Sequence, residues 1–154
     1  MKITDFLDEK AVCADLRATT KEGVIRELID LLAKSEGIRN KEELLKVLVN
    51  REALGSTGIG QGVGIPHGKT NLVKKLVAAF GICRSGVNFD ALDGEPVYLF
   101  FLLMAPEDSA GPHLKALARI SRLLKDKFFR EGLRSLNDEK AILKLLREED
   151  AKRP

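Results

Sequence analysis

The chain has 154 residues, 44% of them apolar and 32% charged, with 26 basic against 23 acidic side chains and a formal net charge of +3. That length and apolar content describe one globular domain with a substantial core, and the mixed charge gives no strong pull toward nucleic acid. No apolar run is long enough to cross a bilayer and the first residues lack the apolar stretch of a secretion signal, so a cytoplasmic protein without direct membrane insertion is expected.

In chain order, residues 3–16 read as a lead-in, with Ile3, Phe6, Leu7 and Val12 apolar but barely periodic. Thr19 or Thr20 caps a predicted helix in which Val24, Ile25, Leu28, Ile29 and Leu32 recur at helical spacing, and Gly37 stops it. Asn40 caps the next helix, with Glu43 three residues on as a capping-box partner. Leu44, Leu45, Val47, Leu48 and Leu54 are assigned to its core side, and Arg51 falls near its C-terminal end.

A glycine-rich loop follows, with five glycines from Gly55 to Gly64. Glycines at that density cost entropy on ordering and build no core, so the segment is expected to lie against a ligand or partner. Residues 63–67 read as a short strand with Pro66 at its end, because proline cannot donate to a ladder. Leu76–Cys83 is a buried-strand candidate, Ser85-Gly86 a turn and Asp93-Gly94 a second turn. Val97–Met104 is the most apolar run and reads as a central strand buried on both faces, closed by Pro106.

Pro112 suits the first position of a helix, which puts His113 in the first turn of the helix that carries Leu114, Leu117, Ile120 and Leu124. A helix around residues 128–136 follows, then one capped by Asp138 with Ala141, Ile142, Leu145 and Leu146 inward. Residues 148–154 read as a frayed, solvated tail on a single domain spanning 1–154. Helices alternating with apolar strands make the class α/β, a sheet covered by helices.

Several motifs fail. Cys13 and Cys83 read as buried free thiols, and with His67 and His113 they match no zinc spacing, so neither metal nor cofactor is expected. Gly68-Lys69-Thr70 resembles the end of a phosphate-binding loop, which needs four residues between its glycine and Gly-Lys-Thr. Here Gly62 and Gly68 are separated by five residues and Gly64 and Gly68 by three. Pro66 also lacks the amide hydrogen such a loop uses. Nucleotide binding is therefore a remote alternative.

The two histidines carry more weight. A neutral imidazole is basic near pH 7 and serves as a nucleophile in group transfer. His67 follows a proline, precedes a glycine and has a glycine-rich approach, so its ring is expected to be fixed but accessible. His113 sits at a predicted helix N-terminus, where free amides favour an anion.

The stretch Arg51-Glu52, Gly55-Ser56-Thr57-Gly58-Ile59-Gly60, Gly62-Val63 and Ile65-Pro66-His67-Gly68 resembles the phosphorylation-site signature of a known family. That family is the enzyme IIA component of the phosphoenolpyruvate-dependent sugar phosphotransferase system, type-2 branch: fructose, mannitol and nitrogen-regulatory IIA. Residues 89–97 and the block Pro112-His113-Leu114 with Leu117 are similar to further family blocks, the first more to the fructose and nitrogen-regulatory members.

The resemblance implies a single domain with a mixed five-stranded sheet flanked by helices. It implies that His67 accepts a phosphoryl group from HPr and passes it to a IIB component, with fructose-type uptake through a membrane IIC transporter as the indirect destination. His113 and Arg51 would then hold the phosphoryl oxygens, and Ser56 or Thr57 would add a hydroxyl or amide. Ile59 and Val63 are the expected partner contacts, while Ile65 is assigned to the core. A nitrogen-regulatory protein, whose phosphorylation state controls a bound target, is the alternative. Two positions depart from the family pattern: Gly64 stands where alanine is common, and Gly111-Pro112 where the fructose and nitrogen branches often carry Asn-Glu.

Overall fold

The computed structural model describes residues 1–153, which form one α/β domain around a mixed sheet. The strands are β1 (Leu7–Cys13), β2 (Gly58–Gly60), β3 (Val63–Gly64), β4 (His67–Lys69), β5 (Val77–Val87) and β6 (Val97–Ala105). The helices are α1 (Lys21–Glu36), α2 (Lys41–Glu52), α3 (Ala110–Leu123), α4 (Lys127–Arg134) and α5 (Glu139–Ala151). The spatial strand order is β1-β5-β6-β3-β2, with β4 also paired to β6.

β6 is the spine of the sheet. Its run of Leu, Phe and Met is buried on both faces, and only Tyr98 is partly exposed. β5 pairs with it antiparallel and β1 pairs with β5 parallel. On its other side β3 and β4 run parallel to β6 in one register, Val63 opposite Leu99 and His67 opposite Leu103. They are one strand interrupted at Ile65-Pro66, so the expected five-stranded sheet and the six observed segments are the same object. The interruption falls at the residue that cannot donate to a ladder. Pairing resumes at once, whereas the sequence reading ended the strand at Pro66.

α1 and α2 pack together on one face of the sheet. Thr20 and Asn40 cap them by accepting from Gly23 and Glu43 amides, and Gly37 closes α1 in the left-handed conformation. α3, α4 and α5 lie on the other face. Gly68 shows how closely α2 rides on β4: a Cβ there would come within 2.5 Å of Val47 Cγ1.

Five further elements differ from their sequence expectation. The lead-in contains edge strand β1, whose exposed Asp8, Glu9 and Lys10 break any alternating pattern. Ser85-Gly86 is not a turn but an irregularity inside β5, with Gly86 at φ 76° and a register shift between Ile82 and Val87. α3 starts at Ala110, so Pro112 is its third residue, still among the positions whose amides have no intrahelical acceptor. Leu54 and Leu114 are 85% and 70% exposed, not in the core. On α5 Ile142, Leu143 and Leu146 are buried, so Leu143 joins the inner face, while Leu145 is half-buried against the core.

The expected frayed tail is instead the last turns of α5 up to Ala151, with Pro154 outside the described residues. Asp150 is 2% exposed and explains the order. Its carboxylate accepts from Arg119 Nε on α3 at 2.6 Å and from the Ile3 amide at 2.6 Å. Removing one partner of a buried pair strands the other charge and costs about 3–5 kcal/mol. Asp150→Ala should lose stability of that order in a urea titration; a loss under about 1 kcal/mol, the value of a surface pair, would show that the pair does not clamp the chain ends.

Candidate functional site

β2 and β3 form a hairpin whose two central residues, Gln61 and Gly62, have φ of 58° and 78°. Positive φ at both positions matches the twist of a tight hairpin and explains a glycine there. The Asp93 carboxylate takes the Gln61 amide at 2.9 Å and ties the hairpin to the 90s loop. β3 then passes Gly64, where a Cβ would meet the Phe100 ring at 3.1 Å. An alanine here would fit only if the Phe100 ring and Val97, 3.1–3.3 Å from that Cβ, gave way by a few tenths of an ångström.

His67 follows as the first residue of β4. Successive strand residues face opposite sides. Gly68 looks toward α2, so His67 looks toward α3, where His113 is the fourth helical residue. The two ring centroids are 5.4 Å apart with planes tilted by 60°. His67 is half-buried. Its Nδ1 lies 2.7 Å from the Ile65 carbonyl oxygen. A carbonyl has no hydrogen to give, so Nδ1 carries the proton and donates, and Nε2 keeps its lone pair.

His113, in the first turn as expected, is buried, and its Nε2 has no hydrogen-bond partner. Such an atom costs about 1–3 kcal/mol until something pairs with it. Burial, then the neighbouring His67 and Lys69, push its pKa down to about 4. His67 is also held below its ordinary value, chiefly by burial and then by Arg51, against the Ile65 hydrogen bond and Glu52, which oppose the shift. Both rings are therefore neutral at pH 7.

Arg51 lies in the last turn of α2 and donates to the Gly55 carbonyl at 2.9 Å. It is close enough to act on the charge of His67. Ser56 and Thr57 are used otherwise than expected. Ser56 Oγ donates to the Phe89 carbonyl and accepts from the Gly58 amide. Thr57 is buried and gives both its amide and its hydroxyl to the Glu52 carboxylate. Their hydroxyls shape the loop. Ile59 is 43% exposed and remains a candidate contact, whereas Val63 is 1% exposed and belongs to the core with Ile65.

Sequence reasoning missed Leu54 and Leu114. Each stands beside a candidate site residue, three after Arg51 and one after His113, and each faces solvent although it reads as part of an apolar series. Lys69 was also missed as a charge near the pair, although it shares the face of His67 two residues on. Gly68-Lys69-Thr70 runs through β4 into turns and then β5, whereas a phosphate loop opens a helix. Among the described residues no group of three or more His, Cys, Asp and Glu side chains is placed to hold a metal ion. No helix in them is long and apolar enough to cross a membrane.

The fold and the site define a small α/β domain with two neutral imidazoles side by side between β4 and α3. The chain belongs to one family of such domains: the profile of the phosphoenolpyruvate-dependent sugar phosphotransferase system, EIIA 2, matches residues 5–149. It is 40% identical over 146 residues to a nitrogen regulatory protein of Bradyrhizobium diazoefficiens, covering 95% of each chain. It is 36% identical over 150 residues to the fructose-specific EIIABC component of Bacillus subtilis, covering 97% of this chain and 24% of that protein. Among solved structures, the nitrogen regulatory protein IIA-Ntr of Neisseria meningitidis superposes with a TM-score of 0.86 at 35% identity, over 94% of this chain and 98% of that one.

The lowered histidine values predict a pH dependence. An unfolded imidazole takes up a proton near pH 6.5, while folded His113 resists until about 4. The unfolded state thus binds more protons in that window, and stability falls as pH drops from about 6.5 to about 4. Ring-proton NMR should find His113 neutral at pH 5, and His113→Gln should lose less stability over the window than the wild type. A His113 midpoint at its ordinary value would contradict the burial argument.

Proposed function

We propose that this protein is a phosphoryl relay that carries its cargo on Nε2 of His67, from HPr to a IIB component. The observation that carries the reading is the Nδ1 bond to the Ile65 carbonyl, which leaves Nε2 as a nucleophile with its lone pair free. In the loading step that lone pair forms a bond to phosphorus as the phosphorus–nitrogen bond of phosphorylated HPr breaks. The donor histidine leaves with the electron pair. The proton on Nδ1 stays where it is, and the Ile65 carbonyl stabilises the positive charge that the His67 ring acquires. The acceptor on IIB reverses the sequence by attacking phosphorus while the bond to Nε2 breaks.

Little covalent chemistry is asked of the protein beyond position and charge. The unpartnered Nε2 of His113 suits a phosphoryl oxygen: as the tautomer protonated there it donates one hydrogen bond. Arg51 supplies the positive charge that the dianion needs, with a fork shaped for phosphate oxygens. The exposed Leu54, Leu114 and Ile59 give apolar area for two partners that dock in turn.

Fructose-type uptake, with a membrane IIC transporter beyond IIB, is the sugar-side form of this reading and is supported by the identity to the Bacillus subtilis component. A second form, a regulator whose phosphorylation state controls a bound target, is supported by the identity to the nitrogen regulatory protein along nearly all of both chains. The two forms share the loading step and differ in the acceptor.

The test is incubation with phosphoenolpyruvate, enzyme I and HPr, followed by intact mass and acid lability. Wild type should gain one acid-labile phosphoryl group and His67→Ala none; full labelling of that variant would end the assignment. His113→Ala should still be labelled, about 10- to 100-fold more slowly, which corresponds to one charge-assisted hydrogen bond. Phosphate mapped to His113 itself would reverse the two roles. Onward transfer to a purified fructose IIB separates the sugar relay from the regulator.

A further inference from the structure

Glu52 is the last residue of α2, and its carboxylate is 7% exposed. A buried carboxylate is costly unless its oxygens are occupied. Here they are: the Lys21 ammonium lies 2.9 Å away, the Thr57 amide donates at 3.1 Å, and the Thr57 hydroxyl donates to the second oxygen. Nothing in the phosphoryl relay as described uses this group.

From Thr57 the contacts run on to the nucleophile. The Thr57 carbonyl accepts the Ile65 amide at 2.9 Å. The Ile65 carbonyl accepts Nδ1–H of His67 at 2.7 Å. That last bond selects the tautomer with Nε2 free. The glycines on either side of Thr57 give this segment little stiffness of its own. Lys21, which holds Glu52 from α1, also sits 4.7 Å above the Phe89 ring, and the Phe89 carbonyl takes the Ser56 hydroxyl. The loop is thus fastened from both sides, but only the Glu52 branch leads to the ring of His67.

We propose that Glu52 is a positioning residue for His67. Through Thr57 and the Ile65 peptide it fixes the plane and tautomer of the imidazole, so that Nε2 is the unprotonated, outward nitrogen. Two of the links are backbone amides, so the chain of contacts transmits orientation and no proton. Buried charge makes the anchor rigid: the two Thr57 donors would be left unpaired and Lys21 would lose its nearer carboxylate if Glu52 moved. The role rests on the reading of His67 as the phosphoryl acceptor, but the orientation of the ring can be read without any transfer.

The experiment uses the full chain and two readouts. Nitrogen-15 shifts of the His67 ring report the tautomer, and the rate of labelling from phosphorylated HPr reports function. Wild type should show a protonated Nδ1 and a pyridine-like Nε2. Glu52→Gln and Thr57→Val should both show a mixed tautomer and label about tenfold more slowly, as expected when a reacting group is misplaced. Thr57→Ser keeps the hydroxyl and should restore both readouts. Folding is checked by the amide spectrum, and Glu52→Gln preserves size where Glu52→Ala risks collapse of the loop. A folded Glu52→Gln protein with the wild-type tautomer overturns the proposal, and so does slower labelling without a tautomer change. If wild type takes no phosphate, the relay reading fails, and the nitrogen shifts alone decide whether Glu52 sets the ring.

Discussion

One hydrogen bond organises the centre of this protein: Nδ1–H of His67 on the carbonyl of Ile65, two residues earlier, between β3 and β4. A histidine near neutral pH has two similar nitrogens and would otherwise distribute its proton between them. The bond removes that ambiguity. Ile65 bonds away from β6: its amide donates to the Thr57 carbonyl, while the Pro66 carbonyl accepts the Leu103 amide of β6, and the Ile65 carbonyl takes the ring.

Around that bond the protein accepts local costs. Two neutral imidazoles are packed side by side, one with a buried nitrogen that has no partner. The glycine loop is ordered against its own entropy by Ser56, Thr57 and Glu52. The offset comes from β6 and β5, where Phe80, Phe100 and Phe101 are fully buried. At roughly 1.5–3 kcal/mol for each large apolar side chain removed from water, a few such residues outweigh one unpaired nitrogen. A strained site on a rigid sheet is the usual division of labour between stability and chemistry.

Much of this was legible in the sequence, and what was not has physical causes. α1 and α2 could be placed by their caps, and β6 by its apolar run, because each rule acts locally. β1 escaped because an edge strand with three exposed charged residues in succession has no alternation to detect. The irregularity at Gly86 read as a turn because glycine with φ of 76° serves both. At the site, His67, His113 and Arg51 could be named, but burial could not. Val63 and Ile59 look alike as letters, and only the hairpin decides that one faces the core and the other solvent. The resemblance offers Ser56 or Thr57 to the phosphoryl group; the bond from Thr57 to Glu52, five residues back across a loop, lies at a distance where spacing carries no signal.

The Asp150 clamp has a topological consequence. Its carboxylate holds the Ile3 amide and Arg119 together, so residue 3 and the last turn of α5 are fastened to α3 at one buried point. The domain is therefore buckled across residues 3, 119 and 150, at a point served by neither strand β4 nor the loop that holds His67.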